Sequence, residues 1–272
     1  MRPLYAFLHI PKCAGTSFAE TIREKMPAER YLGLYEQAGP EVRRASVLGL
    51  APSQARALRV VFGHDVYDGV HVDLGRTGRY LTVVRDPVER LLSQYNFNVD
   101  YWRGKPRQAG ALSDDPYHAD GRLMSFEEWL ESHPQIHNLM AGYISQSFMS
   151  YIPYGTLLTP ERFRRALSRL ASFHYIGLTD RFDLESQHFF RWIGLRDSRM
   201  ERRNVSYPHY WLTDKAVRER VLRLNAMDAE LYELCLRLNA KMRVRRSYYV
   251  YAPLYHVRLW RGRRPEGVRR KL

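Results

Sequence analysis

Cysteine is scarce in this chain: 272 residues hold only Cys13 and Cys235. Two such distant thiols do not make the disulfide framework of a small secreted module. No Cys/His spacing resembles a zinc site either, so a reducing compartment without structural metal is favoured. No apolar run approaches the roughly 18 residues of a membrane span. The N-terminus also lacks a charged segment followed by an apolar stretch and a cleavage site. These absences predict a cytoplasmic protein, soluble or at most peripheral to a membrane. Low-complexity stretches and internal repeats are missing as well. With 45% hydrophobic residues, the simplest expectation is one large domain over 1–240, and nothing forces a second.

Acidic residues are the other shortage. The formal net charge is +14, and residues 241–272 contribute about +10 of it, with eleven Lys or Arg against the single acid Glu266. That tail also carries Tyr248, Tyr249, Tyr251, Tyr255 and Trp260. Basic and aromatic residues mixed in this way suit peripheral contact with an anionic membrane or polymer. A solvated terminus with a few core aromatics explains the composition equally well. No specific nucleic-acid target is expected.

What the chain does contain is a series of strand-like runs interleaved with helices. LYAFLHI (4–10) reads as a short buried strand, and TSFAETIREKM (16–26) as a helix with Phe18 and Ile22 on one face. RVVFGH, ending at His64, and RYLTVVRD, ending at Asp86, are further strands, the second followed by the helix PVERLLSQYNF. From about 100 to 160 the pattern loosens around SFEEWLES and NLMAGYISQ, as a loop-rich insertion over one edge. An amphipathic helix (160–172), the strand and turn YIGLTDRF, the helix LESQHFFRWIGL and one long helix over 213–240 complete the domain. The implied class is α/β, a central parallel sheet flanked by helices.

In parallel sheets, ligands bind outside the C-terminal ends of strands, where a turn into a helix offers free N–H groups and the positive end of the helix dipole. PKCAGTS is such a turn. Gly15 lets the backbone approach an anion, Thr16 and Ser17 add hydroxyls, and Lys12 adds a mobile charge. The GxxxxGK[ST] pattern of nucleoside triphosphatases is absent: Lys12 precedes the glycine, and no Ser or Thr directly follows it to hold magnesium. The strand-to-helix turn is therefore P-loop-like, built for phosphate with no metal required. In YLTVVRDPVERLLSQY, Arg85 ends a strand, Asp86 can cap, Pro87 suits the first helical turn, and Arg85 and Ser93 can converge on one anion. Asp86 and Arg90 are expected to pair and hold the turn. Two anion sites at two strand ends suggest a ligand with two separated phosphates.

HIPKCAGTS followed by TVVRDPVERLLSQY resembles the 5'-phosphosulfate loop and 3'-phosphate motif of the sulfotransferases. The likeness is greatest to the branch containing heparan sulfate 2-O-sulfotransferase and its bacterial carbohydrate-modifying relatives. It extends through VFGHDVYDG, YIGLTDRFD and RMERRNVSY, over roughly residues 5–235. The resemblance implies 3'-phosphoadenosine 5'-phosphosulfate (PAPS) as co-substrate and its desulfated form, PAP, as product. It implies that Lys12 contacts the phosphosulfate bridge, within a loop of Cys13, Ala14, Gly15, Thr16 and Ser17. Arg85 and Ser93 would hold the 3'-phosphate, and Arg203, Asn204 and Val205 would lie in a loop closing over the nucleotide. Cys13 reads as a small filler, although a helix N-terminus can lower a thiol pKa.

Sulfuryl transfer by analogy with phosphoryl transfer needs in-line positioning and charge stabilisation. Lys12 and the loop amides would stabilise the leaving oxygen while a base takes the acceptor proton. His64 is the expected base: it ends a strand on the ligand-binding edge, resembles the catalytic histidine of the 2-O branch, and imidazole ordinarily titrates near neutrality. Asp65 is a second candidate, and His9 is expected to be structural. His137, Asn138 and Tyr143 lie in the insertion that faces the acceptor in relatives. The acceptor is expected to be a carbohydrate hydroxyl. A lipid or small-molecule alcohol, an ATP-dependent kinase and an anionic-polymer binding module remain as alternatives. Relatives acting on heparan sulfate are membrane-anchored, so either this protein is cytoplasmic, as in bacterial relatives, or an anchor is missing from the sequence.

Overall fold

A computed structural model describes residues 2–35, 40–105, 114–145, 158–195 and 208–247. In chain order the elements are β1 (Leu4–Leu8), α1 (Gly15–Lys25), β2 (Tyr31–Gly33), α2 (Pro40–Leu48), α3 (Pro52–Ala57), β3 (Val60–Gly63), α4 (Val70–Asp73) and β4 (Gly78–Val84). There follow α5 (Pro87–Trp102), α6 (Phe126–Ser132), α7 (Leu139–Ile144), α8 (Pro160–Leu170), β5 (Phe173–Leu178), α9 (Phe182–Ile193), α10 (Lys215–Leu224) and α11 (Ala226–Ser247). Among the described residues, no helix is long and apolar enough to cross a membrane.

The five strands form one parallel sheet in the order β2-β3-β1-β4-β5. β1 is buried throughout, because alternate residues of a strand point to opposite faces and here both faces are covered. Leu4, Ala6 and Leu8 join a cluster with α7, α8 and α11, while Tyr5 and Phe7 join Phe18 and Ile22 of α1 and Phe189 and Phe190 of α9. A third cluster unites α5, α6 and α10 around Trp129. The stretch expected to be a loop-rich edge insertion thus supplies fully buried Phe126, Trp129, Met140 and Ile144, although 106–113 and 146–157 fall outside the described residues.

The single helix expected over 213–240 is instead two, α10 and α11, divided at Asn225. The reason is tertiary. Buried Asn225 donates to the Val221 carbonyl and accepts from the Asn138 backbone N–H at 2.9 Å. The Asn138 side-chain oxygen accepts from Met227 and Asp228 N–H at 3.0 and 3.1 Å, capping α11. Asp228 returns the favour, accepting from Met140 and Ala141 N–H at the start of α7. Two helix N-termini therefore cap one another. Of the basic tail, 241–247 continues α11 and 248–272 lies outside the described residues.

Strand order positions the site. The chain leaving β1 runs toward β2 on one side, and the chain leaving β4 runs toward β5 on the other. The crevice above β1 and β4 is therefore the topological switch point, where ligands of open α/β sheets bind.

Candidate functional site

After Leu8 the chain turns sharply into α1. Lys12 and Ala14 both adopt left-handed backbone, at φ 64° and 63°. That conformation costs a non-glycine residue about 1–2 kcal/mol, a strain typical of functional turns. The Cys13 N–H closes the turn onto the Ile10 carbonyl at 3.2 Å. Ala14 caps α1 with no side-chain hydrogen bond, and the first turn of the helix holds no acid. The positive end of α1 therefore faces the crevice without a carboxylate to neutralise it.

Burial sorts the residues of this turn. The Cys13 side chain is packed into the core, and burial pushes its thiol up to about 12, outweighing the charges of the nearby Arg90 and Arg85. It fills space, and the lowering considered from the sequence does not occur. Ser17 is also buried, whereas Lys12, Ala14 and Thr16 are only partly covered. Gly15 has a role distinct from anion access: a Cβ there would lie 1.9 Å from Cδ2 of His9. The missing side chain is what lets the His9 ring lie beneath the loop.

His9 bonds Tyr35 Oη through Nδ1 at 2.9 Å, and burial, with the nearby charges of His64, Arg23 and Lys12, pushes its pKa well down. It is a neutral structural ring. His64 stands beside it at 4.2 Å between ring centroids, with Tyr35 and Tyr143 around the same ring at 5.1 and 6.0 Å. The His64 Nδ1 lies 2.6 Å from the His9 carbonyl oxygen. A carbonyl only accepts, so Nδ1 carries the hydrogen and the neutral ring has its lone pair on Nε2. Among its neighbours, Asp65 is 3% exposed and lies close to the buried Arg43, a placement that suits charge balance better than proton transfer to a ligand.

Across β1, Lys12 meets α5. Its Nζ lies 4.0 Å above the Phe97 ring, and burial together with the Arg85 charge brings its pKa down to about 8. Arg85 Nη1 donates to the Lys12 carbonyl at 3.3 Å, and Arg85 Nη2 pairs with Glu89 at 3.7 Å. Arg85, Glu89, Ser93 and Phe97 recur every four residues, so Ser93 occupies the same ridge, between the arginine and the platform under Lys12. Asp86 caps α5 by accepting from Val88 and Glu89 N–H and pairs with Arg218 at 3.7 Å. Arg90 is buried and donates to the Ile136 carbonyl at 2.8 Å. The two were expected to hold the turn by pairing; these contacts show them anchoring different elements.

Two cations and an uncapped helix start thus meet at the switch point, beside an imidazole held in one tautomer. A family model described as "Sulfotransferase family" matches residues 4–234. The chain belongs to the sulfotransferase family. No curated protein matches it.

As a sulfotransferase, the chain carries Lys12, Ala14, Gly15 and Thr16 at the turn from β1 into α1, Arg85 just after β4, Ser93 on α5 and His64 just after β3. Arg203, Asn204 and Val205 lie outside the described residues. Asn138 is committed to helix capping, and the His137 Nε2 to the Leu130 carbonyl at 2.9 Å, so of the insertion residues it is Tyr143 that stands by His64. Sequence reasoning missed Phe97 and Tyr35. Phe97 was detectable as the continuation of the Arg85 ridge; Tyr35 follows a three-residue edge strand with no pattern to mark it.

Proposed function

We propose that this sulfotransferase transfers a sulfuryl group from PAPS to a hydroxyl of a carbohydrate by in-line displacement, with His64 as the base. The observation that carries the reading is the approach of Arg85 to the carbonyl of Lys12, which brings two cationic residues from adjacent strand ends together. PAPS supplies a sulfuryl group joined through a bridging oxygen to the 5'-phosphate. Lys12 and the first N–H groups of α1 receive the negative charge that develops on that oxygen. Arg85 and Ser93 hold the 3'-phosphate. His64 Nε2 takes the acceptor proton as the acceptor oxygen–sulfur bond forms and the bridging sulfur–oxygen bond breaks, its electron pair staying on the bridging oxygen. The acceptor class rests on the likeness of HIPKCAGTS and TVVRDPVERLLSQY to the 2-O-sulfotransferase branch.

Radiolabelled PAPS incubated with glycan and lipid fractions tests this. Label is expected in glycan, and His64→Ala is expected to reduce turnover by about 100-fold or more, the usual share of a general base, with PAP binding retained. Full turnover in His64→Ala removes the histidine from the mechanism, and label in lipid moves the acceptor. A thermal midpoint raised by ATP and magnesium but not by PAP refutes the donor.

A further inference from the structure

The opposite edge of the sheet carries charge that the sulfuryl chemistry does not use. An arginine stands one or two residues ahead of each of the first four strands: Arg2 before β1, Arg30 before β2, Arg59 before β3 and Arg76 before β4. Parallel strands bring all four to one edge. The backbone ties them together, with Arg59 N–H donating to the Arg30 carbonyl at 2.7 Å and Arg76 Nη2 donating to the Arg2 carbonyl at 2.7 Å.

A cavity of about 450 Å³ opens there, lined by Arg2, Lys25, Arg30, Arg59 and Arg191 with Trp192 as a wall, and no carboxylate lines it among the described residues. A second cavity of about 370 Å³ shares Arg2, Arg30 and Arg59 and adds Arg56 and Arg76, with Glu29 as the one acid among the described residues that line it. Arg76 is 8% exposed, and its guanidinium is held by the carbonyls of Ala55, Arg56, Leu58 and Arg2. Its Nε is buried with no hydrogen-bond partner. Arg59 has its pKa lowered by burial and then by the charges of Arg2, Arg30 and Arg76. Like charges gathered in a concave site concentrate potential and attract anions. Volumes of this size match small-molecule sites.

We propose that this basic trough binds a small organic molecule bearing several sulfate or phosphate ester groups, its anions on Arg2, Arg30 and Arg59 and its body against Trp192. Arginine forks suit tetrahedral oxyanions, and Trp192, stacked on Tyr5 at 6.2 Å and 9°, offers an apolar wall. The site is distinct from the donor cleft: Arg76 and Arg85 lie beyond opposite ends of β4, whose seven residues span on the order of 20 Å at about 3.3 Å per residue. It stands whatever the donor proves to be.

The test uses the full chain carrying Lys12→Ala and Arg85→Ala, so that the donor cleft is disabled. Sucrose octasulfate and inositol hexakisphosphate are titrated into it calorimetrically, with and without Arg30→Gln and Arg59→Gln. At least one probe is expected to bind, and to bind at least tenfold more weakly once the two arginines are neutralised. The tighter probe identifies a sulfated-sugar or a phosphate-ester source. Without ligand, the thermal midpoint of Arg30→Gln/Arg59→Gln is expected to equal or exceed that of wild type, because repulsion is relieved. The proposal is overturned if neither probe binds, if both bind equally after neutralisation, or if neutralisation lowers the ligand-free midpoint.

Discussion

Gly15→Ala is the sharpest perturbation of the site's framework, because two simple arguments give opposite signs. Replacing glycine by alanine within a helix ordinarily stabilises by about 0.5–1 kcal/mol. Here the new Cβ would lie 1.9, 2.3 and 2.4 Å from Cδ2, Cγ and Nε2 of His9. The His9 ring is buried and bonded to Tyr35, so the obstacle is not the mobile end of a flexible chain. Overpacking of that kind costs about 1–3 kcal/mol, and losing the Tyr35 bond adds about 1 kcal/mol. After the helical gain is subtracted, a net loss of about 1–3.5 kcal/mol remains, or about 2–14 °C in the thermal midpoint of a domain this size. Scanning calorimetry or thermal circular dichroism reads it directly. His9→Ala should suppress the effect: in the double variant Gly15→Ala should cost almost nothing further, a coupling of about 2 kcal/mol. A Gly15→Ala midpoint at or above wild type, or losses that simply add, would refute the packing argument.

Asn138→Ala should cost about 2–3 kcal/mol in urea unfolding, because the α11 cap disappears and alanine is strained at φ 52°. Asn138→Gly should recover about 1 kcal/mol of that by relieving the backbone; a glycine variant no more stable than alanine contradicts the division. Lys12 binds anions only when protonated, and its pKa is brought down to about 8, so the cation is largely present at pH 7 and lost as pH rises through 8. PAP affinity should therefore weaken between pH 7 and 9.5, to a limit of about 10–100-fold set by one charged hydrogen bond. Affinity that holds to pH 10 would mean that the lysine titrates at its ordinary value.

The turns that hold the candidate site residues were legible in the sequence because they join strands whose patterns are unambiguous. β1 is apolar at every position since both sheet faces are covered, and Lys12, His64 and Arg85 follow from where β1, β3 and β4 stop. Effects decided by distant partners were not legible. The periodicity of 213–240 runs through Asn225, and only the bond to Asn138 divides it into two helices. Cys13 beside a helix start argues for a lowered pKa, but burial dominates and reverses the sign. Gly15 reads as a phosphate-loop glycine, and nothing in the sequence shows that it also makes room for the His9 ring beneath it. The four arginines ahead of the strands are spread from position 2 to 76, and parallel pairing alone makes them one surface.

Calorimetric titration of PAP into wild type and Arg85→Ala tests the central claim most directly. One molecule of PAP should bind per chain, and Arg85→Ala should weaken it at least tenfold, as expected for a charge-assisted contact to phosphate, with the stoichiometry unchanged. Equal affinity in the two proteins would separate Arg85 from Lys12 and contradict the shared cleft.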